Sequence, residues 1–367
     1  MDVGMIGLPG SGKTTLLNAL TNAHAETGGF GASGARPNLG VVRVPDPRLS
    51  RIAELVRPQR VVQAELSFVD IPGQPPELGK SRGIQGQYLL EVSQTDMLLL
   101  VVRAFRSPAL PDSTPDADME TMLMEMVFAD MAIVSRRLQR IDNSLKGART
   151  AEREELMTEA DLLRRLHASL ENGEAIRSVD VTPLESRMLS GFTFLTTKPL
   201  VIVLNIAEDD LGRSVELAGE WNRRYGSPTA GCIALSARLE EELSRLAPEE
   251  AAAFRDEMGA AADATGSLAR LAQSVAGLIT FYTTGPQEAR AWQLEAGTPA
   301  PLAAGRKIHT DMERGFIRAE VTSYQDFLDA EGKFPEARRR GTLRQEGKTY
   351  IIQDGDVVTF LFNVSGR

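Results

Sequence analysis

One glycine-rich segment of the chain has residue types that suit the binding of a phosphate group. Residues 7–14 read GLPGSGKT and match the pattern G-x-x-x-x-G-K-[ST]. Phosphate needs several backbone N–H donors that converge with no side chain in the way, which glycines permit, and a following helix N-terminus adds a favourable dipole. Lys13 is expected to neutralise β- and γ-phosphate oxygens, and the Thr14 hydroxyl to complete the ligand shell of Mg²⁺. The candidate nucleotide-binding residues of this segment are Pro9, Gly10, Ser11, Gly12, Lys13, Thr14 and Thr15.

A second candidate motif, DIPG at residues 70–73, ends an apolar run. The carboxylate of Asp70 is expected to hold Mg²⁺ through water, and the N–H of Gly73 to contact a γ-phosphate. Gln74 follows directly, where Ras-like GTPases have the glutamine that orients the attacking water. A solvated loop glutamine is the alternative for Gln74. The candidate catalytic residues are therefore Lys13, Gly73 and Gln74, and the candidate metal ligands are Thr14 and Asp70.

Short apolar runs must position these residues. They cover 2–7, 66–73, 97–105, 199–208 and 232–237, and helix-length segments separate them. Such runs predict buried strands of a mostly parallel sheet with helices on both faces. Ligands of such α/β sheets bind beyond the carboxyl ends of the strands. Two of these ends carry Asn205-Ile206-Ala207-Glu208 and Ser236-Ala237-Arg238, where a nucleotide base is expected to lie.

The rest of the chain predicts two further parts. Apolar residues follow a 4-3-4-3-4 spacing over 127–145, and a second apolar seam follows at positions 156, 160, 163, 166 and 170. The seams predict an antiparallel helical hairpin, with two ordinary amphipathic helices as the alternative. Beyond residue 277 the sequence is rich in β-forming residues with Gly and Asp turns, which predicts a small, mostly antiparallel sheet.

The order of these motifs resembles the Obg-like ATPase (YchF) family of P-loop NTPases. The matching strings span almost the whole chain and include GLPGSGKTTLLNALT, PNLGVVRVPDPRL, FVDIPG, LSARLEEEL and IHTDMERGFIRAEV. The resemblance implies an α/β P-loop G domain (1–112 and 190–275), a helical coiled-coil insertion (113–189) and a C-terminal TGS domain of ubiquitin-like β-grasp form (276–367). It also implies ATP, or GTP, as the ligand.

The base-binding string favours adenine over guanine. Classical GTPases carry Asn-Lys-x-Asp there, and the aspartate accepts two hydrogen bonds from guanine. In this chain Ile206 replaces the lysine and Glu208 the aspartate. The longer carboxylate moves the acceptor by roughly 1.3–1.5 Å, which matches guanine's paired donors poorly. In the family the N-x-x-E form goes with ATP use, and GTP stays open.

The chain also departs from the family's usual strings. Gly10 stands where the phosphate loop usually has Asn, and Ser11 where it usually has Val. In the first switch, Gly34 falls at the position of the usual magnesium-contacting threonine, so that only Ser33 could substitute for it. The glycines of 28–34 predict a mobile loop.

Composition limits the remaining classes of function. The chain has 367 residues, of which 42% are hydrophobic and 25% charged, as in ordinary globular proteins. No apolar run reaches the roughly 18 residues that span a bilayer, so we expect a cytoplasmic protein with no membrane partner. Its single cysteine and three histidines exclude an internal disulfide and a zinc cluster of recognisable spacing.

Charge argues against binding to nucleic acid through the chain as a whole, because the net charge is −9. Residues 276–367, however, hold twelve basic and twelve acidic residues, with a cluster at Arg338, Arg339 and Arg340. The family's ribosome association implies contact of the TGS domain and the helical insertion with the ribosome or RNA. A solvated charged face is the alternative for the arginine cluster.

We expect a molecular switch that hydrolyses ATP with Mg²⁺. The hydrolysis should be slow because no arginine finger is identifiable in the sequence. The alternatives are a nucleotide-sensing adaptor with little or no hydrolysis and a GTPase. A small-molecule kinase fits poorly, since nothing in the sequence resembles a lid over an acceptor substrate.

Overall fold

The structure of the chain is a computed structural model. The structure describes residues 1–21, 38–71, 83–108, 114–147, 149–260 and 263–363. The chain divides into two compact units, one of Met1–Val42 with Ser67–Thr265 and one of Arg43–Leu66 with Gly266–Arg367. None of the described helices is both long and apolar enough to cross a membrane.

Twelve strands lie in the described residues. They are β1 Asp2–Ile6, β2 Asn38–Val44, β3 Arg60–Val62, β4 Ala64–Asp70, β5 Met97–Ala104, β6 Leu200–Ile206, β7 Ala230–Leu235, β8 Leu278–Thr284, β9 Glu288–Glu295, β10 Phe316–Ser323, β11 Arg344–Glu346 and β12 Asp356–Phe362.

The same residues form fourteen α-helices and two short 3₁₀ segments, Ile176–Ser178 and Glu208–Arg213. The helices are α1 Lys13–Thr21, α2 Pro47–Val56, α3 Gly86–Ser93, α4 Pro115–Ser144, α5 Thr150–Glu171, α6 Pro183–Leu189, α7 Ser214–Tyr225, α8 Ala237–Leu243, α9 Pro248–Met258, α10 Ala264–Val275, α11 Ala300–Lys307, α12 Thr310–Arg314, α13 Tyr324–Asp329 and α14 Phe334–Arg339.

The first six-stranded sheet has the order β2-β4-β1-β5-β6-β7. Strand β1 pairs in parallel with β4 and β5, and β6 pairs in parallel with β5 and β7. Every residue of β6 is buried, as expected for a strand covered on both faces. The mixed α/β fold with a mostly parallel sheet is confirmed, and each predicted apolar run overlaps a strand of this sheet.

Helices α4 and α5 contain the two predicted heptad seams. The eleven apolar residues of the seams all belong to one hydrophobic cluster, in which Val134, Leu163 and Leu166 are fully buried. Before the seam begins, Met119, Met122 and Met126 of α4 lie instead in the core that covers the parallel sheet. The 30-residue helix α4 therefore joins two hydrophobic cores of the first unit.

The second sheet has the order β11-β10-β12-β8-β9-β3. Its pairings are antiparallel for β8 with β9 and for β10 with β11 and β12, but parallel for β12 with β8 and for β3 with β9. The β-rich stretch at 350–352 forms only an isolated bridge between Ile351 and Pro299. Strand β3 belongs to this sheet although it lies more than two hundred residues earlier in the chain. The three-domain division expected from the sequence stays a prediction.

Candidate functional site

The loop between β1 and α1 has a backbone conformation that needs glycine. Gly7 has φ +147° and Gly12 has φ +98°. A Cβ at Gly7 would lie 2.4 Å from the carbonyl oxygen of Val101, and one at Gly12 would lie 2.3 Å from Nδ2 of Asn205. Both distances are far below van der Waals contact, so neither position admits a side chain without rearrangement. Pro9 and Gly10 are exposed at the tip of the loop.

Lys13 begins α1 and its side chain turns back over the loop. Its Nζ donates hydrogen bonds to the carbonyl oxygens of Gly7 and Leu8, each at 3.1 Å. Burial lowers the pKa of Lys13 from 10.5 to about 8, although the nearby carboxylate of Asp70 acts in the opposite direction. Carbonyl dipoles thus hold the ammonium group, at a position where a bound phosphate would add a full negative charge.

Thr14 and Asp70 meet at this end of the sheet. The hydroxyl Oγ1 of Thr14 donates a 2.7 Å hydrogen bond to Oδ2 of Asp70, which is the last residue of β4. Asp70 is only 6% exposed. A hydroxyl and a carboxylate are oxygen ligands of the kind that Mg²⁺ prefers, so the donor set fits that ion. Thr15 follows in the first turn of α1 and is partly buried.

Asn205 links two loops through a buried side chain. Its Nδ2 donates to the carbonyl oxygen of Ser11 at 2.9 Å, and its Oδ1 accepts from the N–H of Ala237 at 3.0 Å. Ser236 caps α8 by accepting from the N–H of Leu239 at 3.4 Å. The residues predicted to bind the base thus include one that ties the phosphate loop to the start of α8.

Ile206 and Glu208 lie in different surroundings. Ile206 is 2% exposed and packs in the core of the first sheet. The carboxylate of Glu208 is partly exposed, and its Oε1 lies 3.8 Å from Nε of Arg238. Arg238 lies in the loop that the sequence predicts to hold the base. Its ion pair with Glu208 was not predicted, because thirty positions separate the two residues in the sequence.

Ser11 has a buried hydroxyl within the loop. The residue is 2% exposed, and its Oγ has no hydrogen-bond partner within the described residues. Gly73 and Gln74, the two candidate residues for the hydrolysis step, lie outside the described residues, as do Ser33 and Gly34 of the first switch.

Comparison with known proteins places the chain in a family. A family model described as "50S ribosome-binding GTPase" matches residues 2–137. A second model, named YchF-GTPase_C and described as "Protein of unknown function (DUF933)", matches residues 278–363. The chain is 36% identical to the Ribosome-binding ATPase YchF of Bacillus subtilis over 99% of its own length and 100% of that protein. Its identity to the protein of the same name from Escherichia coli is 35%, over 98% of this chain and 99% of that one.

The chain belongs to the YchF (Obg-like ATPase) family. A solved structure, the Schizosaccharomyces pombe YchF GTPase, superposes with a TM-score of 0.84 at 26% identity and covers 98% of this chain and 97% of that one. The YchF fold therefore extends over both units. As a YchF-family P-loop protein, the chain places the phosphate loop, Asp70 and Asn205 at one edge of its parallel sheet.

Proposed function

We propose that this YchF-family chain is a molecular switch that binds and slowly hydrolyses ATP with Mg²⁺. The observation that carries the proposal is the hydrogen bond of 2.7 Å between Thr14 and Asp70, beside a glycine loop whose lysine is already directed over it. In this arrangement the loop N–H groups and Lys13 bind the phosphates, and Thr14 and Asp70 hold Mg²⁺. The ion, when bound, offsets phosphate charge.

The residues proposed for the water-activation step are Gly73 and Gln74, next to Asp70. Gln74 orients the attacking water in this proposal. Gln74→Leu should lower the single-turnover hydrolysis rate while leaving nucleotide affinity unchanged, because the amide acts on water and not on the ground-state phosphate. An unchanged rate assigns Gln74 to the loop surface and removes its catalytic role.

We propose adenine as the preferred base. The relatives cited above are named ATPases, whereas both family models and the fission-yeast structure carry the word GTPase. Glu208 supports ATP because its carboxylate lies near the guanidinium of Arg238, 3.8 Å away, which competes with guanine for the same acceptor. Asn205 does not discriminate, since both ends of its amide are bound to the backbone.

Calorimetric titration with ATP and GTP, followed by turnover assays with Mg²⁺, tests the proposal. ATP should bind more tightly than GTP, and Lys13→Ala should abolish turnover. Equal affinity or a preference for GTP contradicts the assignment of the base. If the chain binds ATP and Mg²⁺ but does not hydrolyse ATP, it is instead a nucleotide-sensing adaptor.

We also propose that the switch associates with the ribosome in the cytoplasm. Both bacterial relatives are named ribosome-binding. The segments proposed to make contact are the helical insertion at 113–189 and the TGS domain at 276–367. Cosedimentation with ribosomes, with ATP present or absent, checks this. Loss of cosedimentation on removal of ATP supports a switch, and absence of cosedimentation in both conditions contradicts the association.

A further inference from the structure

A cavity of about 620 Å³ opens among the helices of the first unit. Its wall is formed by α4, α5, α6 and the segment that precedes β6. We call it the arginine pocket after the residues that carry the argument, which are Ile133, Arg136, Arg137, Arg140, Glu159 and Phe192. The volume lies within the range of about 300–1,000 Å³ that is usual for ligand sites.

Within the part of the chain that the structure describes, two of the three arginines in the pocket have no acidic partner. Arg137 makes a bidentate ion pair with Glu159, with both N···O distances at 2.7 Å, so those two charges cancel. Arg136 donates only to the carbonyl oxygen of Ala132 in its own helix. Within the described residues the side chain of Arg140 makes no hydrogen bond or ion pair. One helical turn separates Arg136 from Arg140, so both guanidinium groups lie on the same face of α4.

The pocket also has an aromatic wall. The ring of Phe192 stacks on that of Phe194, with centroids 4.9 Å apart and planes inclined by only 5°. Phe194 is 1% exposed and belongs to the helical core, so it supports the outer ring. Beside Phe192, a Cβ at Gly191 would meet no atom within 4 Å. A planar group can therefore extend the stack from the solvent side.

We propose that the arginine pocket binds a nucleotide unit of single-stranded RNA, with its base on Phe192 and its phosphate on Arg136 and Arg140. Guanidinium groups pair with phosphate, and stacked aromatic rings accept any base. The carboxylates of an acidic peptide could pair with the arginines, but they would not stack on the ring of Phe192. The inference rests on the ribosome association proposed above and names a place where RNA is held.

The basic cluster of the second unit is a weaker candidate for this role. Arg338 pairs with Glu320 at 2.5 Å, and Arg339 and Arg340 both pair with Glu336 at 2.7 Å. Binding of RNA there must first break these ion pairs. Arg136 and Arg140 have no ion pair with any described residue that RNA would have to break.

The test is fluorescence anisotropy of the full chain with a short labelled oligouridine at several salt concentrations. Arg140→Gln should weaken binding several-fold and reduce the salt slope by about 0.7, the value for one phosphate contact. Phe192→Leu should weaken binding about 5- to 100-fold with the salt slope unchanged, because stacking releases no counterions. Arg153→Gln is the matched control, since Arg153 is an exposed arginine of α5 outside the pocket, and its binding should equal that of the unmodified chain.

Thermal melting of each variant shows whether it is folded. Arg140 is exposed, so Arg140→Gln still tests the inference if the Phe192→Leu variant does not fold. Binding of oligouridine by both pocket variants as tightly as by the unmodified chain overturns the inference. Preference of the unmodified chain for oligoglutamate overturns it in favour of an acidic peptide. If the chain cosediments with ribosomes while the variants bind RNA normally, only this inference fails. If the chain does not cosediment, the proposed association itself fails.

Discussion

The phosphate loop and the arginine pocket hold their polar side chains in opposite ways. In the loop, the ammonium group of Lys13 donates to two carbonyl oxygens, and the hydroxyl of Thr14 donates to Asp70. In the pocket, Arg136 and Arg140 have no carboxylate partner within the described residues. A site of the first kind depends on geometry, since its dipoles are fixed in advance. A site of the second kind depends on ionic strength, since its cations attract counterions when empty.

The largest effect should follow from Gly12→Ala, which breaks the geometry of the loop. The new Cβ would lie 2.3 Å from Nδ2 of Asn205, at a φ of +98° that alanine rarely adopts. We expect a loss of nucleotide affinity of at least about 100-fold, together with about 1–3 kcal/mol of backbone strain. Calorimetry and chemical denaturation measure the two quantities.

Gly86→Ala is the control for strain alone. Gly86 also has a positive φ, +65°, but a Cβ there would meet no atom within 4 Å. That variant should lose roughly 1–2 kcal/mol of stability and keep its nucleotide affinity. An equal loss of affinity in both variants would mean that strain, and not the contact with Asn205, controls the loop.

Asn205→Ala should have the next largest effect. It removes two buried hydrogen bonds and leaves the carbonyl of Ser11 and the N–H of Ala237 without partners. Each orphaned group costs about 1–3 kcal/mol. We expect lower stability and roughly 10- to 100-fold weaker nucleotide binding, because the loop loses its tie to α8.

Asn222 offers a matched control for that substitution. It bridges α7 and β7. Its Nδ2 donates to the carbonyl oxygen of Cys232 at 2.8 Å, and its Oδ1 accepts from the N–H of the same residue at 2.9 Å. Because Asn222 is exposed whereas Asn205 is only 4% exposed, Asn222→Ala should lower the midpoint of denaturation by less, and it should leave nucleotide affinity unchanged. Reduced affinity in this variant too would show that global destabilisation explains the effect.

A pH dependence of binding should come third. Burial disfavours the charged form of Lys13 and lowers its pKa to about 8. Phosphate favours the charged form, so the complex has the higher pKa and binding takes up a proton above pH 8. Affinity should be constant below about pH 8 and fall up to tenfold per pH unit above it.

Calorimetry in two buffers of different ionisation enthalpy measures this proton uptake directly. Lys13→Arg is the comparison, since its guanidinium stays charged over the same range. Any nucleotide binding that the arginine variant retains should lack the uptake. Uptake of equal size in both proteins would assign the titrating group elsewhere, for instance to the nucleotide.

Long apolar runs made most of the first sheet predictable from sequence. The run at 97–105 contains β5, Met97–Ala104, and the run at 199–208 contains β6, Leu200–Ile206. Strand β3 was not foreseeable in the same way, because three residues of sequence carry little pattern. Its parallel pairing joins Arg60 to Glu288, and such distant partners leave no periodic trace.

Side-chain direction limited what could be predicted of the sites. The string NIAE marked the end of a strand correctly, but not that the amide of Asn205 faces Ser11 and Ala237. Arg136 and Arg140 gave no signal either, since charges between heptad positions usually form a solvated face. Whether Arg136 and Arg140 are available to a ligand depends on the acidic residues near them, and the carboxylate of Glu159 pairs with Arg137 and not with either of them.

The smallest predicted effect concerns that ion pair. Arg137 and Glu159 form their bidentate pair at 2.7 Å with the arginine side chain 36% exposed, which raises the pKa of Arg137. Glu159→Gln removes the acid and adds an unpaired cation to the pocket, at a cost in stability of roughly 0.2–1 kcal/mol. Oligouridine should then bind a few-fold more tightly and with a steeper salt dependence, while nucleotide binding stays the same. Glu154→Gln, at an exposed acid of the same helix outside the pocket, controls for the change in net charge. An equal gain in oligouridine affinity in both variants would show that RNA binding responds to the overall charge of the chain. The difference between the two sites would then not depend on the position of Arg136 and Arg140.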